Sequence, residues 1–139
     1  MISIVTLHFS AVIFSLAVLV IADVQAFLWL IGKKEVLNAR LIKALHILMW
    51  IGLLVTATLG ASLAYPILSY LLVHPPFLLK MMFVGTLITN AFLIGAHYTI
   101  ATERSFASLS SKERIPLFVS GALSTLGWVG AFVIGWFFL

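Results

Sequence analysis

Polar residues divide the chain into four long apolar stretches. The hydrophobic runs cover about residues 2–32, 41–73, 76–102 and 113–138. Each is long enough to cross a bilayer, for which an α-helix needs roughly 20 residues. The pattern predicts an all-α polytopic membrane protein with four transmembrane helices in a single domain, residues 1–139.

Helix-start and helix-stop residues set the predicted boundaries. Pro66 is predicted to bend the second helix and His74-Pro75-Pro76 to end it, because proline lacks a backbone donor and disfavours helical geometry in the residue before it. Ser110 and Glu113 have the spacing of a capping box, which predicts the start of the fourth helix.

The first stretch is predicted to be a retained helix and not a signal peptide. No Lys or Arg precedes Lys33, whereas a signal peptide carries positive charge ahead of a shorter apolar core.

Charge sets the predicted orientation. All but one of the basic residues fall between helices one and two (Lys33, Lys34, Arg40, Lys43) or between helices three and four (Arg104, Lys112, Arg114). The positive-inside rule places both loops in the cytoplasm and both termini outside. With short loops, the simplest architecture is an antiparallel up-down-up-down bundle in a lipid bilayer.

Composition excludes several classes of protein. Hydrophobic residues make up 63% of the chain and charged residues 9%, against roughly 25% charged in soluble domains. The absence of Cys excludes thiolate metal sites and iron–sulfur clusters. Because the net charge of +4 follows from the loops around the spans, we expect no nucleic-acid partner.

His46 and His97 are the main candidate metal ligands. Each is expected roughly 5 to 10 Å below the cytoplasmic surface, one on helix two and one on helix three. Two inward-facing imidazoles at one depth on antiparallel helices are the arrangement that ligates haem iron from both sides. Lys43 and Arg104 would neutralise the haem propionates. The alternatives are another metal or a pigment, or purely structural hydrogen bonds.

Two further polar residues lie within the spans. Asn90 is seven residues before His97 and shares its helical face. Asp23 is the only acidic residue inside a predicted span, where an ionisable side chain is a functional candidate. We assign both to cofactor binding, by orienting a ligating His or by handling protons beside a quinone. The alternative for Asp23 is a structural hydrogen bond.

His8 and His74 form a second candidate metal-ligand pair near the outer face, although a solvated loop residue is the simpler interpretation of His74. Lys80 is expected to extend to the lipid headgroups, or else to reach an anionic group of a ligand. Copper is an alternative metal, because it prefers thioether and imidazole ligands. The candidate thioethers are those of Met49, Met81 and Met82.

Helix four carries a stripe of small residues, which predicts close approach of a neighbouring helix or of a flat ligand such as a porphyrin. The stripe consists of Ser120, Ser124, Gly127, Ala131 and Gly135.

The chain resembles small bacterial four-helix inner-membrane proteins of the copper-resistance D type and the membrane domains of b-type cytochromes. The likeness rests on Leu45-His46-Ile47-Leu48-Met49-Trp50-Ile51-Gly52, on Pro76-Phe77-Leu78-Leu79-Lys80, and on Asn90 with His97. It implies a bacterial plasma membrane location and haem or copper bound at His46 and His97.

These observations predict a membrane electron-transfer protein that binds haem b and is linked to quinone. The alternatives are a copper-handling membrane protein and a non-catalytic, pigment-holding subunit of a larger complex. A chain with so little mass outside the membrane favours association with other subunits or with further copies of itself. No hydrolase or nucleotide-binding motif is present.

Overall fold

Four membrane-length helical spans make up the structure. The computed structural model describes residues 1–139, and its four long helices are Ile4–Leu30, Ala39–Ala64, Pro75–His97 and Ser111–Phe137. Short helical segments extend the second span to Leu71 and the third to Glu103, and no strand is present. The predicted all-α four-helix membrane bundle is confirmed.

The predicted helix boundaries are confirmed at three places. Pro66 lies in a 3₁₀ turn, Tyr65–Ile67, where the second span bends. His74 is the N-cap of the third span, and its two prolines occupy the first helical turn. Ser110 and Glu113 form the capping box that starts the fourth span.

The spans form a ring in chain order. Each span packs against its neighbours in the chain, and the first also packs against the fourth. The first and third spans therefore run in one direction and the second and fourth in the other. We call the end with loops 31–38 and 104–110 the charged end, and the end with both termini and loop 72–74 the terminal end.

The first and second spans are in close contact at Ser15 and Gly52. Ser15 is fully buried, and its hydroxyl donates to the Ala11 carbonyl at 2.9 Å. A Cβ atom on Gly52 would lie only 2.2 Å from Ser15 Oγ. Small residues let transmembrane helices approach in this way, and the approach supplies much of their packing energy.

The third and fourth spans are packed equally closely. A Cβ on Gly127 would lie 2.7 Å from Leu87, and one on Gly130 would lie 2.7 Å from the Phe83 ring. Helix approach along the predicted small-residue stripe is thus confirmed at Gly127.

The first two spans form one helical hairpin and the last two form another. The two hairpins meet at a central layer and at the charged end. Leu19, Leu53, Leu87 and Trp128, one from each span, form the central layer. At the charged end the Trp29 indole donates to the Arg104 carbonyl at 2.9 Å, and the Leu37 amide donates to the Ala101 carbonyl at 2.7 Å. On each side of the central layer the hairpins enclose a cavity.

The outer surface of the bundle is apolar. Large hydrophobic side chains are exposed on every span, among them Phe14, Leu54, Phe92 and Leu126. Such a surface fits the hydrocarbon of a lipid bilayer, and the chain is an integral membrane protein.

Replacing Gly52 by Ala should destabilise the bundle by about 1–3 kcal/mol, because the new methyl group overlaps the Ser15 hydroxyl. Gly85→Ala is the matched control, since a Cβ at this exposed mid-helix glycine meets nothing within 4 Å; better helix propensity should make it stabilising by up to about 1 kcal/mol. Thermal unfolding in detergent measures both changes. Adding Ser15→Ala to Gly52→Ala should restore most of the loss, and equal melting temperatures for the two glycine variants would contradict this packing.

Candidate functional site

A cavity of about 230 Å³ lies between the hairpins on the charged-end side of the central layer. We call it the charged-end cavity. All four spans contribute to its mostly apolar wall. The polar side chains among its lining residues are Asp23, His46, Asn90, Tyr98, Ser120 and Ser124.

His46 lies in this wall, packed against the third span. Its ring stacks on Tyr98 with centroids 4.8 Å apart, and a Cβ on Gly95 would lie 3.4 Å from its Nε2. The imidazole is therefore covered by Tyr98 on one face and has its Nε2 edge beside the backbone of the third span.

His97 is not brought to His46. Gly95 and Tyr98 are the residues that face His46, and at 100° per residue His97 lies well over 90° away from that direction on the third span. It is half-buried and lines neither this cavity nor the larger one described below. Haem ligation by His46 with His97 stays a prediction, and the structure gives these two side chains no common cavity.

Asn90 is almost completely buried, with 1% of its surface exposed. Its Nδ2 donates to the Ser120 carbonyl on the fourth span at 2.8 Å, and its Oδ1 is buried without a hydrogen-bond partner. Because an unsatisfied buried acceptor costs about 1–3 kcal/mol, this oxygen favours a ligand that carries a donor.

Asp23 belongs both to the cavity wall and to the exposed surface of the bundle. The Thr125 hydroxyl on the fourth span donates to Asp23 Oδ2 at 3.1 Å. This contact leaves the other carboxyl oxygen free to form a further hydrogen bond.

The two predicted propionate partners lie at the charged end. Arg104 forms an ion pair with Glu113 and donates to the Ser108 carbonyl at 3.0 Å, so its guanidinium is already engaged within the loop. Lys43 is exposed and lines none of the three larger pockets.

A larger cavity lies on the terminal-end side of the central layer. It has a deep chamber of about 420 Å³ and an adjoining mouth chamber of about 660 Å³. The two share the lining residues His8, Phe9, Gly60, Ala64, Phe77, Lys80 and Gly135. We call this space the terminal-end cavity; the size of each chamber lies in the range of 300–1,000 Å³ usual for cofactor pockets.

Two buried polar atoms on its wall have no partner. His8 is 7% exposed, and its Nδ1 has no hydrogen-bond partner; the same is true of Thr56 Oγ1 in the deep chamber. A Cβ on Gly60 would lie 3.1 Å from His8 Cε1, so the imidazole is packed closely against this glycine.

Lys80 has no carboxylate to pair with. The chain's acidic residues are Asp23, Glu35, Glu103 and Glu113, and none lines the terminal-end cavity. The Lys80 ammonium extends towards the fourth span, where a Cβ on Gly135 would lie 3.1 Å from Nζ. It lines both chambers and gives the cavity a positive charge.

His74 lies at the mouth chamber together with His8. Its ring stacks on Tyr70 with centroids 5.2 Å apart, which holds the imidazole at the rim. No group of three or more His, Asp or Glu side chains is clustered in the way a mononuclear metal site requires, but two imidazoles suffice for haem iron.

Comparisons with known proteins assign the chain to no family. No protein-family model, curated protein or solved structure matches the chain. The resemblance to copper-resistance D-type and b-type cytochrome domains therefore stays a prediction, and function has to be argued from the cavities.

Thr56 is the site residue that the sequence did not indicate. A threonine in a membrane helix usually donates to the carbonyl one turn earlier, as Thr58 does to Leu54 at 2.8 Å. Nothing in the sequence distinguishes the two residues, because the difference depends on which one faces the terminal-end cavity.

Replacing Lys80 by Met should stabilise the ligand-free protein by about 1 kcal/mol, because its ammonium is partly buried without a carboxylate partner; at the centre of a membrane helix such a charge costs roughly 2.5–3.5 kcal/mol by insertion scales, and nearer the helix end it costs less. Met has a similar length and keeps the apolar contacts. Lys112→Met, at an exposed position in the first turn of the fourth span, is the control and should change little. Thermal unfolding in detergent gives the comparison; a loss of stability in Lys80→Met would mean that the protein itself supplies the ammonium with a partner.

Proposed function

We propose that this chain binds a b-type haem in its terminal-end cavity and serves in electron transfer within the membrane. The observation that carries the proposal is the placement of the four histidines. His8 and His74 line one cavity of cofactor size, whereas His46 and His97 share none.

The polar groups of that cavity suit the same ligand. A haem needs an apolar pocket, axial imidazoles and a cation for its propionates. The lining is mainly apolar, the histidines come from the first span and the loop before the third, and the unpaired Lys80 supplies the cation. A haem held there would take up and release single electrons.

The orientation and the partners form part of the proposal. The positive-inside rule puts the charged end in the cytoplasm of a bacterial cell and the haem near the outer face of its plasma membrane. Quinone is the electron partner that a chain with so little mass outside the bilayer can reach directly, and other subunits or a second copy would extend the path.

Copper is a second candidate. Met81 and His8 both line the deep chamber, and thioether and imidazole are ligands that copper prefers. The Lys80 ammonium at the same wall repels a bare cation but attracts an anionic propionate, so the charge of the cavity favours haem.

The optical spectrum of protein purified in detergent tests the proposal. The wild type should show a sharp Soret band with reduced alpha and beta bands. His8→Ala and His74→Ala should each lose the six-coordinate spectrum or the haem, and Lys80→Met should retain less haem. His97→Ala is the matched control and should keep the wild-type spectrum.

Three outcomes would overturn the proposed site. Loss of haem in His46→Ala and His97→Ala, but in neither terminal-end variant, would move it to the other pair. A colourless protein with bound copper would favour the second candidate. A colourless, metal-free protein expressed with haem in excess would rule out both haem binding and copper binding.

A further inference from the structure

We propose that the charged-end cavity is a second, separate binding site, and that it takes an aromatic diol of the hydroquinone class through Asn90 and Asp23. The argument begins from hydrogen-bonding chemistry. Asn90 Oδ1 is buried without a partner, and Asp23 has one carboxyl oxygen that Thr125 does not reach. Both atoms accept hydrogen bonds, so the ligand they suit carries donors.

The two acceptors come from different spans. Asp23 is on the first span and Asn90 on the third, which are diagonal in the ring of four. Both spans run from the terminal end to the charged end. Asp23 follows Leu19 of the central layer by four residues and Asn90 follows Leu87 by three, so at 1.5 Å per residue the two are nearly level.

Level acceptors on diagonal helices define the shape of the ligand. It has a hydroxyl donor at each of two opposite ends and an apolar centre. Trp50, Tyr98 and Trp128 line the space between, and aromatic side chains favour an aromatic ring by stacking or edge contacts. A volume of about 230 Å³ fits one or two rings and excludes a macrocycle.

The route into the cavity is through the lipid-facing side. Asp23 is exposed on the bundle surface and also lines the cavity. A ligand dissolved in the bilayer can enter there without crossing a charged loop. Hydroquinones of membranes have the required ring, paired hydroxyls and solubility; their oxidised quinones have acceptors only and would leave Asn90 Oδ1 without a donor.

A matched pair of redox-stable probes tests the site. The first is 2,6-dihydroxynaphthalene, with donors at opposite ends of two rings. The second is 2,6-dimethoxynaphthalene, which has the same rings but no donor. Quenching of tryptophan fluorescence in detergent measures both affinities, with protein-free micelles correcting for partition. We expect the diol to bind at least about tenfold more tightly, which corresponds to about 1.4 kcal/mol.

Three variants assign the effect to Asn90. Asn90→Leu keeps the volume but removes the acceptor, and it should bring the affinities of the two probes to within about threefold of each other. Asn90→Asp retains an acceptor oxygen and should restore the preference. Thr89→Ala, whose hydroxyl is exposed and bonded to Gly85 of its own helix, should behave as the wild type.

Equal affinities of the wild type for the two probes would overturn this inference, as would an unchanged preference in Asn90→Leu. The melting temperature of each variant shows whether it is folded, and the comparison of the two probes on the wild type keeps the test decisive if Asn90→Leu unfolds. Because the central layer separates the two cavities, the result does not depend on haem. His8→Ala should keep the diol preference even if it loses the haem spectrum.

Discussion

The structure depends on the difference between tight packing inside each helical hairpin and loose packing between the hairpins. Gly52 lets the first two spans touch at Ser15, and Gly127 lets the last two touch at Leu87. In a bilayer such contacts must come from close van der Waals packing, because lipid provides no hydrophobic driving force between helices. The hairpins then meet at the central layer and the charged end, and the space left on each side of the layer becomes a cavity.

The polar atoms of the two cavities differ in chemical character. The terminal-end cavity has imidazoles, hydroxyls and the unpaired Lys80 ammonium, and no acidic residue. The charged-end cavity has the acceptors of Asn90 and Asp23. Unpaired polar groups are costly in a membrane, and natural proteins retain them mainly at functional sites. The two sets of groups suit an anionic cofactor on one side and a hydroxyl donor on the other, a pairing that fits electron transfer from a hydroquinone.

Hydropathy and helix-boundary residues were sufficient to predict the fold. Four runs of at least 26 residues, Pro66, the His74-Pro75-Pro76 stop and the Ser110–Glu113 capping box located every span, because these signals act within a few residues of chain. The cavities were harder to predict, since they depend on how each helix is rotated about its own axis. Similar depth suggested that His46 and His97 would meet, but Gly95 and Tyr98 are the residues that face His46. Lys80 was expected at the headgroups or at an anionic group of a ligand; the sequence could not show that its ammonium lies beside Gly135 on the wall of the terminal-end cavity.

Native mass spectrometry of the protein released from detergent tests the central claim, that the terminal-end cavity holds an anionic cofactor against Lys80, more directly than any other measurement. The account predicts that the wild type retains a non-covalent ligand with the mass of haem b and that Lys80→Met retains much less of it, while Lys112→Met equals the wild type. Equal ligand occupancy in the wild type and Lys80→Met, or no retained ligand in any of the three, would contradict the account.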